Sequence, residues 1–108
     1  MTVEALSALE FLEPVVLPDP DREISGVYIG DLLSWVMGRA SSGDAWITIM
    51  SNVNILAVAS LADTACIILA EGVKLEADVI ETAKQKNINI LLSDAGIYDT
   101  AVWLSQVL

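Results

Sequence analysis

From Cys66 to Ala70 the chain reads Cys-Ile-Ile-Leu-Ala, a run with no polar position on either side of an extended backbone. Such a strand is stable only where both faces are covered, as in the interior of a parallel sheet. Parallel neighbours require crossover connections, usually helical. From Val27 onward the sequence supplies them, alternating short apolar runs with helix-period segments. That rhythm predicts an α/β fold, a three-layer α/β/α sandwich on a mostly parallel sheet of about four to five strands.

Met1 to Leu12 is predicted helical, with Val3, Leu6 and Leu9 on one stripe, and Glu13-Pro14 ends it because the residue before a proline avoids the helical region. Val15-Val16-Leu17 follows as a short strand, and Pro18-Asp19-Pro20-Asp21 as a turn. Gly26 to Ile29 is a strand. Asp31 is placed to cap a helix from Leu32 to Arg39 whose Leu32, Leu33, Val36 and Met37 share a broad face. Ser41 to Asp44 is a loop, Ala45 to Met50 a strand, and Ser51-Asn52 caps a helix from Val53 to Leu61. That helix has almost no polar face, which predicts burial on more than one side.

The segment from Glu76 to Lys86 is amphipathic, with Ala77, Val79, Ile80 and Ala83 grouped against Asp78, Glu81, Thr82 and Gln85. Ile88 to Leu92 gives a last strand. A carboxy-terminal helix then puts Ile97, Ala101, Leu104 and Leu108 on a core stripe, with Val102, Trp103 and Val107 off it.

At 108 residues, 1–108 is expected to form one domain. Its 55% hydrophobic content exceeds the usual share of soluble domains, and the excess is read as burial in an oligomer. The longest apolar stretch, Ile55 to Ala62, contains Ser60 and is far short of about 20 residues, so no membrane span is expected. The amino terminus has no secretory pattern, which makes a cytoplasmic location the default expectation. Cys66 reads as a small buried hydrophobe and forms no intrachain disulfide. A formal charge of −10 repels the phosphates of nucleic acids and anionic lipid surfaces, and keeps an apolar chain soluble.

The sequence contains 0 histidines, which removes the usual general base, the Ser-His and Cys-His pairs and the commonest transition-metal ligand. Lys74, Lys84 and Lys86 lie outside any phosphate-loop motif, no Gly-x-Gly-x-x-Gly follows a strand, and no calcium loop is present. The acids of the Asp19 to Glu23 turn lack an apolar setting to split their pKa values. No catalytic residue, metal or cofactor is expected, and the chain is read as a non-enzyme. Carboxylate-only, metal-dependent hydrolysis through Asp21, Asp31 and Asp94 is the least strained enzymatic alternative.

What remains is a set of strand-to-helix loops: Gly30-Asp31, Ser51 to Asn54, Ala70 to Gly72 and Ser93 to Gly96. In open α/β sheets ligands bind beyond the carboxyl ends of the strands, where helix N-termini attract anions. Gly30, Asp31, Ser51, Asn52, Asn54, Ser93 and Asp94 are the candidate ligand residues, together with Arg22.

Asp21-Arg22-Glu23-Ile24-Ser25-Gly26, then Asp31-Leu32-Leu33, Asp44 to Ile49 and Asn52 to Ala59, make an ordered combination that resembles a DRTGG domain over nearly the whole chain. The family's name motif matches at Asp21, Arg22 and Gly26. Glu23 stands at the threonine position, and Ile24-Ser25 separates the pair from the glycine. In physical terms Arg22 is expected to fork to Asp19, Asp21 or a neighbouring carbonyl, and Gly26 to permit close backbone approach. The resemblance implies a regulatory module. Such domains occur beside nucleotide-sensing CBS pairs in some pyrophosphatases and in phosphotransacetylases, and are similar to the amino-terminal domain of HPr kinase. Kinase activity is not implied, because the phosphate-binding loop of that kinase belongs to another domain.

Two readings follow. In the first the chain is a homodimeric interaction module with a protein partner, using Trp103 and Val102 or the second side of the helix bearing Val53 and Leu56. In the second it binds a small molecule, an adenine nucleotide, at the strand-to-helix loops. The scarcity of basic residues leaves helix dipoles to attract the phosphates.

Overall fold

The computed structural model describes the whole chain from Met1 to Leu108. In chain order the elements are α1 (Val3–Ser7), β1 (Glu13–Val16), β2 (Gly26–Ile29), α2 (Leu33–Arg39), β3 (Asp44–Thr48), α3 (Asn54–Ala62), β4 (Cys66–Leu69), α4 (Ala77–Gln85), β5 (Ile90–Leu92) and α5 (Ile97–Val107). They build one 5-stranded sheet of order β1-β5-β4-β3-β2. Strands β2 to β5 are parallel, and β1 runs antiparallel to β5. The α/β sandwich expected from the sequence is therefore the fold observed.

From β2 to β5 consecutive strands lie side by side, so each crossover advances in the same direction, and the usual right-handedness puts the connecting helices on one face. Val36 of α2, Ile55 of α3 and Val79 of α4 accordingly share a core with Trp46, Ile67 and Ile90. The alternate strand residues Ala45, Ile47, Cys66, Ile68 and Leu91 point the other way, onto Val3 and Leu6 of α1 and Leu104 of α5. All four residues of β4 are buried, as its unbroken apolar run requires. Burial pushes the Cys66 thiol up to about 12.

Several element boundaries differ from expectation, for identifiable reasons. The amino-terminal helix stops at Ser7, and Glu13-Pro14 begins β1 instead of ending a helix. An edge strand tolerates a proline because one side of it needs no donor. Asp31 does not cap α2. Its carboxylate accepts from Thr48 Oγ1 at 2.7 Å and from the Ile49 amide at 3.0 Å, and α2 begins at Leu33 without a side-chain cap. Only Val36 of the α2 face is fully buried, while Leu32 and Met37 are exposed. Strand β3 starts at Asp44 and ends before Met50, and α3 begins at Asn54.

Helix α3 is not covered all round, since Leu61 is 75% exposed. On α5 the buried residues are Thr100 and Leu104, and Leu108 lies in solvent rather than on the core stripe.

One buried polar residue ties the carboxyl side of β1 to the sheet. Asn89, 2% exposed, accepts from the Asp19 amide at 3.0 Å and donates to the carbonyls of Asp19 at 2.7 Å and Ala65 at 3.0 Å. The turn at Pro18 to Asp21 is thus fixed to the start of β4. No helix is long and apolar enough to cross a membrane.

Candidate functional site

The loops after β2, β3, β4 and β5 all emerge at the carboxyl edge of the parallel strands. Helix α4 returns on one face and α5 on the other, so the crevice of an open α/β sheet falls between the loops after β4 and β5. Here this chain fills it. The Glu71 amide donates to Ala95 O at 2.8 Å, the Gly72 amide to Ser93 O at 3.1 Å, and Glu71 Oε2 accepts from the Ile97 amide at 2.8 Å. Glu71 adopts φ 64, a left-handed conformation that aims its carboxylate at the first turn of α5. An anion arriving there meets a carboxylate already in place.

Most other candidate ligand groups are also engaged internally. The Gly30 carbonyl accepts from Trp46 Nε1 at 2.9 Å, and the Asp31 carboxylate is held by Thr48 and Ile49. Asn52 Oδ1 accepts from the Asn54 amide at 2.9 Å, and buried Ser93 shares a 2.8 Å hydrogen bond with Thr100. The remaining groups do not converge. Ser51 and Asn52 line a depression of about 320 Å³ with Lys74, Glu76 and Asp78, whereas Asp94 lines a groove of about 440 Å³ with Glu10, Phe11, Glu13, Leu92 and Trp103. Of the five basic residues, Lys74 alone belongs to the loops at this edge.

Arg22 lies apart from these residues, at the amino end of the sheet. Its Nη1 donates to Asp63 Oδ1 at 3.0 Å and its Nη2 to the Asp63 carbonyl at 2.9 Å, and Ser42 Oγ donates to the same carboxylate. The partner is therefore Asp63, the left-handed C-cap of α3, rather than Asp19 or Asp21. The Arg22 hydrogen bond, with that of Ser42, holds the Asp63 carboxyl below the usual carboxylate range, and the Asp63 bond raises the Arg22 guanidinium above its own. The close approach expected of Gly26 is real: a Cβ there would sit 2.6 Å from Asp44 Oδ1.

The interface candidates separate in the same way. Leu56 is wholly buried and cannot meet a partner, because α3 turns that residue into the core with Ile55 and Val58. Val53 is exposed at the start of α3, and Val102 is half-buried. Trp103 is 37% exposed and packs at 5.1 Å, tilted, on Phe11.

A surface missed in the sequence emerges from the distribution of charge. Residues 24–62, which build β2, α2, β3 and α3, carry two acids and one base (Asp31, Asp44, Arg39), a net charge of −1 out of −10. Eight of the thirteen exposed large hydrophobics fall in this stretch: Val27, Ile29, Leu32, Trp35, Met37, Ile49, Val53 and Leu61. The ring of Trp35 is covered by Arg39 at 3.7 Å, the one base among them. Beside them runs β2, one of the two edges of the sheet. A count of charge along the chain would have found the neutral stretch, but only the fold shows how its pieces lie: Val27 and Ile29, in register with Ala45 and Ile47, face the α1 and α5 side of the sheet, and α2 and α3 cover the other face.

The family model for the DRTGG domain matches residues 19–107. No protein of curated function matches the sequence. Among solved structures the chain is similar to the CBS and DRTGG domains of the regulatory region of the Clostridium perfringens pyrophosphatase, crystallised with its activator diadenosine tetraphosphate. The TM-score is 0.70 at 18% identity, over 90% of this chain and 43% of that one. The chain spans less than half of that structure, and the likeness is one of fold.

Proposed function

This chain belongs to the DRTGG domain family, and on that premise we propose that it is a non-catalytic regulatory module acting by association, paired with a second copy of itself and signalling to a protein partner. The observation that carries the reading is the open β2 edge, nearly neutral and flanked by exposed apolar residues of β2 on one face of the sheet and of α2 on the other. Two copies of a chain with charge −10 repel over most of their surfaces. They meet at least cost where charge is absent, and a twofold axis beside β2 joins the same patch to itself. Large exposed apolar groups next to an open strand edge are the physical signature of such a contact.

Light scattering over a dilution series tests the pairing. The chain is expected at twice its own mass, and Trp35→Asp, which puts a charge on the patch without touching the core, is expected at one chain mass with its secondary structure intact. A wild-type chain that is monomeric at every concentration refutes the pairing.

A second reading, adenine nucleotide binding at the carboxyl edge, is favoured by one observation, the diadenosine tetraphosphate held by the similar pyrophosphatase region. At that edge of this chain the depression lined by Ser51, Asn52 and Lys74 is the place with a cation for phosphate. A melting-temperature rise with millimolar diadenosine tetraphosphate that is lost in Lys74→Ala supports it, since a ligand bound to the folded state stabilises by mass action. No shift in the wild-type chain removes it.

A further inference from the structure

We propose that the groove between the Leu9 to Glu13 segment and α5 receives a short basic segment of a partner protein, held by Phe11 and Trp103 on its floor and by Glu10, Glu13 and Asp94 at its rim. This inference rests on the association reading and supplies the partner's chemistry. The groove holds about 440 Å³ where β1 begins and β5 ends, and a second depression of about 300 Å³ continues it past Trp103 along α5 to Val107. Together they make an elongated track rather than a pocket for one small molecule.

Its walls alternate two kinds of group. Phe11, Leu12, Leu92 and Trp103 are apolar, and the three carboxylates of Glu10, Glu13 and Asp94 are exposed, with no Lys or Arg among the lining residues. Phosphate and acidic lipid headgroups are repelled from such a surface. Lys and Arg side chains satisfy both features, since their stems cover apolar surface, their cations meet carboxylates, and the face of a tryptophan attracts a cation. The charge of −10 also steers a basic chain toward the molecule before contact. The groove is built from residues 9–13 and 92–107, outside the neutral stretch 24–62, so one copy can hold its twin and a partner segment together.

The test uses the full chain and a labelled, amidated peptide of alternating Lys and Leu with one Phe, followed by fluorescence anisotropy. A counterpart with Gln for every Lys is the neutral control. Diffuse attraction to an acidic protein is separated from the groove by two triple variants of equal charge. Glu10→Gln/Glu13→Gln/Asp94→Asn removes the rim, and Glu76→Gln/Asp78→Asn/Glu81→Gln removes the same charge from α4 and its N-cap, on the opposite face of the sheet.

The proposal predicts that the rim variant and Trp103→Ala each weaken binding about tenfold or more, and that the α4 variant changes it less than about twofold. Equal weakening by the two triple variants, or binding unchanged in Trp103→Ala, overturns it. Solution mass recorded on the same samples keeps the two ideas apart. Peptide affinity lost from an intact dimer by both triple variants alike counts against the groove alone, and a monomer whose peptide binding still depends on the rim counts against the pairing alone.

Discussion

The two edges of the sheet are built on opposite principles. At one edge β1 carries Pro14, an exposed Glu13 and a register break between Pro14 and Val16. Proline, charge and a bulge are the devices that keep an edge strand from recruiting another chain. At the other edge β2 pairs in continuous register with β3 from Gly26 to Ile29, contains neither proline nor charge, and exposes Val27 and Ile29. The contrast teaches that an edge can be guarded or offered within one small sheet. The guarded edge lies beside the acidic groove and the offered edge in the neutral stretch.

The comparison can be broken most severely from inside. Trp46 is fully buried under the β2 edge, and its Nε1 holds the Gly30 carbonyl at the end of that strand. Trp46→Ala is expected to cost about 3–5 kcal/mol in denaturant unfolding, through the cavity and the orphaned carbonyl. Asn89 plays the matching role on the β1 side. Asn89→Ala leaves the Asp19 amide and two buried or half-buried carbonyls without their partner, and about 2–3 kcal/mol is expected by the same measurement. A loss below about 0.5 kcal/mol would mean that water replaces the side chain freely.

Exchanging the character of the edges sharpens the contrast without touching the core. Val27→Lys puts a charge on the offered edge and is expected to halve the solution mass. Pro14→Val restores a donor to the guarded edge and is expected to produce species heavier than a dimer by analytical ultracentrifugation. If Pro14→Val leaves the mass unchanged, the bulge alone guards that edge.

The smallest effect belongs to the staple at the amino end. Arg22→Ala is expected to cost about 1 kcal/mol or less, because the pair is largely exposed. Its pH dependence has a fixed sign. The Asp63 carboxyl is held below its ordinary range in the folded chain, so the contribution is complete above that range and fades as pH falls through the folded-state value. The stability gap between wild type and Arg22→Ala should therefore be flat from neutral pH to the ordinary carboxylate range and close as pH falls below it. A gap that persists in acid assigns the effect to packing.

Much of the fold was legible because its signals are local. The unbroken run at Cys66 to Leu69, the amphipathic period of Ala77 to Gln85 and the turn chemistry at Pro18 to Asp21 each name their element without help from distant residues. What escaped depended on partners far along the chain. Asp31 looked like a helix cap until Thr48 and Ile49 claimed it, and Arg22 found Asp63, 41 residues away. Pro14 marked the end of a helix by its local rule, yet the antiparallel pairing of β1 with β5 gave it a place at an edge.

The site was less legible than the fold. The loops after the strands were correctly located at the carboxyl edge, but Glu71 closes their central crevice from within, and no spacing rule foretells that. Trp103 stood out by type alone, whereas its partner Phe11 belonged to a segment read as helix.

Amide hydrogen exchange at Val27 and Ile29 tests the offered edge most directly. The Gly30 amide donates inward to Ile47 O, so by strand alternation the Val27 and Ile29 amides point away from the sheet. Pairing through β2 predicts that both exchange slowly in concentrated solution and lose their protection on dilution, while the amides of β4 stay protected throughout. Rapid exchange at both positions at every concentration, in a chain that is nonetheless dimeric, would contradict the assignment of β2 to the interface.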